Sequence, residues 1–294
     1  MLIFAALCSS TAEAQLLYSI SGRGLKAKSY IMGSHHFTDY SFVEKIPGSA
    51  RAFESVEQVC GEIDMSYQQS REASEMLMQA MMLPDEKTLK DIYSDEEMER
   101  INDFMRSVVG VELTHPIFWS SMGRMRPMAV VQQISTMLYM RSHPDFNIHT
   151  VMDMKIQEEA RRSGKAVLGL ESIEYQFGVF FGGYTPEEER QQLLDMADNA
   201  ERTVEDLHRL NKAYAEQSAE QLVEVSESQI RSEGDRRFMQ ELTVKRNRNW
   251  VEQMPAIMAE RPTLFVVGAL HLYGEEGVVE LLRKEGYKVK AVKR

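Results

Sequence analysis

Hydrophobic residues along this chain come in two rhythms. Short unbroken runs rich in β-branched and aromatic side chains read as buried strands, and longer stretches with apolar positions three and four apart read as helices. The clearest run is Thr263-Leu264-Phe265-Val266-Val267, which enters Gly268 and is followed three residues on by His271. Near the other end, Ser29-Tyr30-Ile31-Met32 enters Gly33 and then His36. Residues 16–20 and 27–32 read as two strands joined by the turn Ser21-Gly22-Arg23-Gly24. After a Pro47-Gly48 turn, Ser49 is the expected cap of a short helix running to Val59. Residues 59–64 read as a buried strand carrying Glu62 and Asp64, and strand–helix–strand order predicts a parallel βαβ unit. A further buried strand is expected over 165–171, ending on Glu171, and a last one over 286–292.

Between these runs the period lengthens. From 66 to about 141 the chain reads as mostly helical, broken at Pro84, Pro116 and Pro127, with Ser94-Asp95-Glu96-Glu97 as a capping box. This block is the expected helical insertion or lid. A helix is expected after Asp153, stopped by Gly164. Thr185-Pro186-Glu187-Glu188 opens helix that continues to roughly 229, and 235 to about 258 is helical again, carrying Arg246, Asn247 and Trp250. The pattern predicts an α/β fold with a mostly parallel central sheet flanked by helices. No composition break divides residues 15–294, so one domain is expected there.

Composition narrows the class. A net charge of −11 argues against nucleic acid or an anionic membrane as the main partner. The twenty methionines lie largely in helical stretches, where adaptable packing explains them; a Met-rich peptide groove is the sharper alternative. Residues 1–14 resemble a secretory signal, with an apolar run from Leu2 to Leu7 and Ala12-Glu13-Ala14 before the expected cut. The mature protein is therefore expected to be exported, as a periplasmic, outer-surface or secreted protein. No span in it is apolar enough for a membrane helix. Cleavage would leave Cys60 alone, as a core residue.

Four candidates share one kind of place, the carboxyl end of an expected strand: His36, Glu62, Glu171 and His271. In open α/β sheets functional groups gather there, and glycine is expected to let the chain turn sharply beneath each histidine. Buried carboxylates are costly unless paired, hydrated or bound to metal. Two imidazoles with one or two carboxylates suit a divalent metal with one position open for water. The bland alternatives are structural histidines and helix-capping glutamates. His35 and His36 point opposite ways by alternation, and either could face the site. His115, His143, His149 and His208 read as surface or capping residues.

The segments 29–36 and 62–64, Val167-Leu168-Gly169-Leu170-Glu171-Ser172 with Gln176, Arg246-Asn247, and Val266 to Gly274 resemble, in that order, the TraB/PrgY/GumN family, which includes the animal Tiki proteins. The resemblance implies a metal-dependent hydrolase similar in architecture to erythromycin esterase and the haem-binding ChaN-like proteins. It also implies peptide substrates, with manganese or cobalt as the metal described for Tiki members. Carried over, His36 and His271 are the motif histidines, Glu62 the acidic residue after the next strand, Glu171 the glutamate of the Gly-x-Glu segment, and Arg246-Asn247 the Arg-Asn pair. Ser34 and His35 depart from the usual pattern.

The leading expectation is an exported hydrolase of peptides or small molecules. His36, Glu62 and His271 would bind manganese, cobalt or zinc. Glu62, Glu171, Arg246 and Asn247 would be catalytic, the last two steadying the substrate carbonyl. The rivals are a non-catalytic peptide- or ligand-sequestering protein and, behind it, haem capture through a histidine.

Overall fold

The apolar runs become a six-stranded sheet. The computed structural model describes residues 15–68 and 70–293; the expected leader at 1–14 lies outside them. The strands are β1 (Leu17–Ser21), β2 (Ser29–Ser34), β3 (Gln58–Gly61), β4 (Ala166–Gly169), β5 (Thr263–Gly268) and β6 (Lys288–Ala291). Their order is β4-β3-β5-β2-β1-β6. Pairing is parallel from β4 through β2, and β1 runs antiparallel to both β2 and β6. The fold class is as expected.

The order has a consequence for function. β5 arrives last of the parallel strands but inserts between β2 and β3, so the strands carrying the two Gly-x-x-His units are neighbours, with Gly33 beside Val267. β2 and β3 are parallel as the βαβ reading requires, yet not adjacent.

Alternation along β5 sends Leu264 and Val266 to one face and Phe265 and Val267 to the other. On the first face they meet α1 (Ser49–Ser55), α7 (Met152–Arg162), α10 (Ala200–Ala215) and α11 (Ala219–Ser228) through Ala52, Ile156, Tyr214 and Leu222. On the second they meet α13 (Arg246–Glu260) and α14 (Val278–Lys284) through Trp250, Met254 and Leu282. Cys60 is fully buried there, and burial pushes its thiol up to about 12. β4 departs from its reading as a buried strand. It is an edge strand, and its residues stay partly exposed.

The helical block comprises α2 (Met65–Gln68), α3 (Arg71–Met81), α4 (Asp95–Val108), α5 (Pro116–Met122) and α6 (Pro127–Ser142). Pro116 and Pro127 each open a helix, where a missing N–H costs nothing. The block builds its own core from Ile101, Met105, Met122 and Ile134, and it recruits Leu193 and Leu194 of α9 (Pro186–Asp198). Met98, Met105, Met122, Met125 and Met137 pack in or against that core, whereas Met78 and Met140 are exposed. The capping boxes at Ser94 and Thr185 are present, whereas Ser49 caps nothing: Gly48 is the N-cap, and the Ser49 hydroxyl donates to Val43 O.

The remaining helices are α8 (Ile173–Gly182) and α12 (Glu233–Met239). Between α12 and α13 lies a turn of π-helix, Gln240–Lys245, that no periodicity announced. Among the described residues no helix is long and apolar enough to cross a membrane.

Candidate functional site

The carboxyl ends of β2, β3, β4 and β5 lie along one rim of the sheet, and the six singled-out residues assemble there in two unlike halves. One half is buried. Glu62 follows β3, Glu171 follows β4, and His271 ends a 3₁₀ turn after β5, while Arg246 and Asn247 open α13 directly behind the π-helix. The guanidinium lies between the two carboxylates. Its Nη2 donates to Glu62 Oε2 and Glu171 Oε1 at 2.6 Å each, and its Nε donates to Glu171 at 3.0 and 3.1 Å. Its Nη1 donates to Leu242 O at 3.0 Å and reaches His271 Nε2 at 3.2 Å. In a regular α-helix Leu242 O would take the Arg246 backbone N–H, which here donates to Thr243 O instead.

The other polar atoms of this half are also committed. Glu62 Oε1 accepts the Gly268 N–H at 2.7 Å. Gln176 Nε2 donates to both carboxylates, and the Trp250 indole N–H donates to Glu171 Oε2 at 3.0 Å. Trp250 also lies under the guanidinium, 4.7 Å from ring centre to Cζ, and against the His271 ring. Asn247 is spent on His271. Its Oδ1 accepts from Nδ1 at 2.7 Å, and its Nδ2 donates to His271 O and Glu276 O. The His271 proton therefore sits on Nδ1, and Nε2 is the lone-pair nitrogen that faces Arg246.

Charge follows from this geometry. Burial pushes the His271 pKa down to about 3, so the ring is neutral at pH 7. Burial works to raise Glu62, yet its pKa is held down at about 2 by His271, Arg246, His36 and the Gly268 N–H. Because the His271 ring is uncharged above about pH 3, Arg246 is the nearest charge keeping Glu62 ionised at neutral pH. Burial opposes the charge of Arg246, but the two carboxylates prevail and raise its pKa.

The second half is open. His36 has 66% of its side chain exposed. Its Nδ1 lies 3.3 Å from Asp153 Oδ2, and Ser34 Oγ donates to the other Asp153 oxygen at 2.5 Å. Asp153 is the main cause that lifts the His36 pKa to about 9. His35 points the other way, packs on Tyr214 and is driven down to about 4 by burial. The histidine facing the rim is His36.

Both glycines are in place for a reason other than the expected sharp turn, for neither has a positive φ. A Cβ on Gly33 would stand 2.9 Å from Ala269 Cα, and one on Gly268 would press on Glu62 Oε1 at 3.3 Å. They give room for the β2–β5 approach and for the carboxylate.

The match of the TraB/PrgY/gumN family profile runs over residues 16–291. This chain belongs to the TraB/PrgY/gumN family. No curated protein and no solved structure is found to match it. Within a TraB/PrgY/gumN chain the motif residues are thus gathered at one rim, with Asp153 and Trp250 added. Asp153 gave no signal beyond an acidic residue in a first helical turn. Trp250 could have been read from its four-residue spacing to Arg246, which puts both on one helix face. Glu171 is no helix cap; Ser172 caps α8.

The metal implied by the family resemblance does not fit these residues as they are arranged. Among the described residues no group of three or more His, Cys, Asp or Glu could hold an ion. Glu62 Oε1 is 3.9 Å from His271 Nε2, and the Arg246 cation faces that same nitrogen. Within the buried half, none of these side-chain atoms is left without a partner.

Proposed function

We propose that this chain is a hydrolase that acts on peptides at the strand-end rim. The observation that supports the reading is the division of roles between two histidines on adjacent strands. His36 is exposed and carries a proton at neutral pH, whereas His271 is buried and neutral beside a guanidinium. Titratable groups pushed apart in this way mark acid–base assignments. In this reading water adds to the peptide carbonyl, the C–N bond breaks as His36 gives its proton to the leaving amine, and His36 recovers a proton from the new carboxylic acid, with Asp153 holding the ring. Arg246 keeps Glu62 ionised, forks onto Glu171 and lends positive charge to the wall against which the substrate carbonyl lies. Asn247 holds His271 rather than touching substrate.

A site for manganese, cobalt or zinc on His36, Glu62 and His271 is what the family resemblance implies and the present arrangement does not fit, and export is proposed from the signal-like pattern of residues 1–14. The hydrolase reading is tested by incubating the chain with a peptide library and reading new termini by mass spectrometry, wild type beside His36→Ala. Cleavage lost in the variant is expected. No cleavage by the wild type, with or without each ion, favours the sequestering-protein reading. That second reading has one observation of its own: the fully bonded buried half reads as a rigid floor for a ligand as readily as a reacting centre.

A further inference from the structure

We infer that Arg246 is the resident cation of this rim, occupying by its own side chain the electrostatic position that a divalent metal would otherwise take. The inference is independent of the hydrolase reading, since it concerns what balances the buried charge rather than what reaction follows.

Three observations carry it. The first is completeness. Both Glu62 oxygens, both Glu171 oxygens and both His271 nitrogens have partners within the protein, and four of these six atoms are reached by the one guanidinium. A metal site awaiting its ion leaves lone pairs aimed at a common point. The second is the direction of the His271 lone pair. With Nδ1–H fixed by Asn247, Nε2 is the ligand atom, and Arg246 Nη1 stands 3.2 Å from it. A divalent ion bound to Nε2 would lie against a fixed positive charge, in a place where little water screens the repulsion.

The third is the fastening of Arg246 itself. The side chain is held by Leu242 O at the π-turn, by stacking on Trp250 and by the forked bonds to Glu171. Lysine could not make this set, because it lacks the planar fork and the face that stacks. The π-turn, which leaves Leu242 O for the side chain, anchors the cation from its own helix.

The inference is tested by titrating manganese, cobalt and zinc into the chelator-treated full chain, followed by calorimetry and by thermal melting. The proteins are the wild type, Arg246→Met and the double variant E171Q/R246M, which removes one charge of each sign and so keeps the net charge of the wild-type cluster, with folding of each variant checked by circular dichroism. The wild type is expected to show no saturable one-to-one binding and no change in Tm with chelator or ion. The double variant is expected to bind one ion per chain at least about 100-fold more tightly than the wild type and to gain Tm with ion, through linkage of binding to the folded state. That gain should vanish when Glu62→Gln is added. Stoichiometric binding by the wild type that weakens on losing Arg246 would overturn the inference. So would a folded double variant that binds nothing, because Arg246 would then not be holding a cation's place. None of these outcomes reads hydrolysis, so failure of the enzyme reading is separately visible.

Discussion

A guanidinium between two buried carboxylates is worth little as a net attraction and a great deal as a requirement. Removing one partner leaves charge in a place that water does not reach. Arg246→Met is therefore expected to cost about 3–5 kcal/mol in urea melts, and Trp250→Phe, which takes from Glu171 Oε2 one of its two donors, about 1–3 kcal/mol. The pH dependence has a definite sign. His271 has a folded pKa of about 3, below its ordinary 6.5, and Glu62 one of about 2, below 4.5. In both cases the unfolded chain binds the extra proton first. Their contribution is present at neutral pH, begins to fall below about 6.5 through His271, and falls further below about 4.5 through Glu62. Urea melts from pH 7 to 3 should follow that course, and a flat profile would contradict it. On the open side, Asp153→Asn should return the His36 pKa from about 9 toward or below 6.5, read from its ring proton shifts in an NMR titration. The six candidate residues were legible because strand ends and a family order located them. Asp153 was not, since an acidic residue early in a helix has an ordinary reading as a dipole partner.

The strands with strong β-branched and aromatic runs were placed within a residue or two, because a buried central strand needs little else to declare itself. β4 was misread as buried. Its residues, Ala166-Val167-Leu168-Gly169, are as apolar as those of β3, and nothing local says that only one side has a neighbour. The order of the sheet was likewise hidden, since insertion of β5 between β2 and β3 is decided by packing over more than two hundred residues. The reason for Gly33 also belongs at this scale. It marks where the turn after β5 crosses β2, so Gly33→Ala should push Ala269 back and cost about 1–3 kcal/mol while leaving the far half of the sheet unaltered. Hydrogen exchange should show faster opening centred on β2 and β5, and uniform loosening would count against this account.

The molecule has a sheet with two covered faces and a helical block with its own core, and the proline-broken helices of the block were readable in advance. Its recruitment of α9 was not, because the polar surface of that helix hides a narrow apolar stripe. Ile101→Ala should cost about 2–5 kcal/mol and lower the melting of the block ahead of the sheet, seen as two transitions in place of one. The widened turn at Gln240–Lys245 acts over a similar distance. A π-turn holds one residue more than an α-turn, so it is an insertion that the chain has absorbed, and it sets the angular phase between everything before it and everything after. Deleting one residue there would let α12 and α13 join as a plain helix, with α12 turned by roughly 100° about its axis. Phe238 would leave its stack on Tyr184, Asp235 would lose the Tyr184 hydroxyl, and Leu242 O would return to the backbone. A single residue of chain length thus keeps two helix faces pointed at two different tasks.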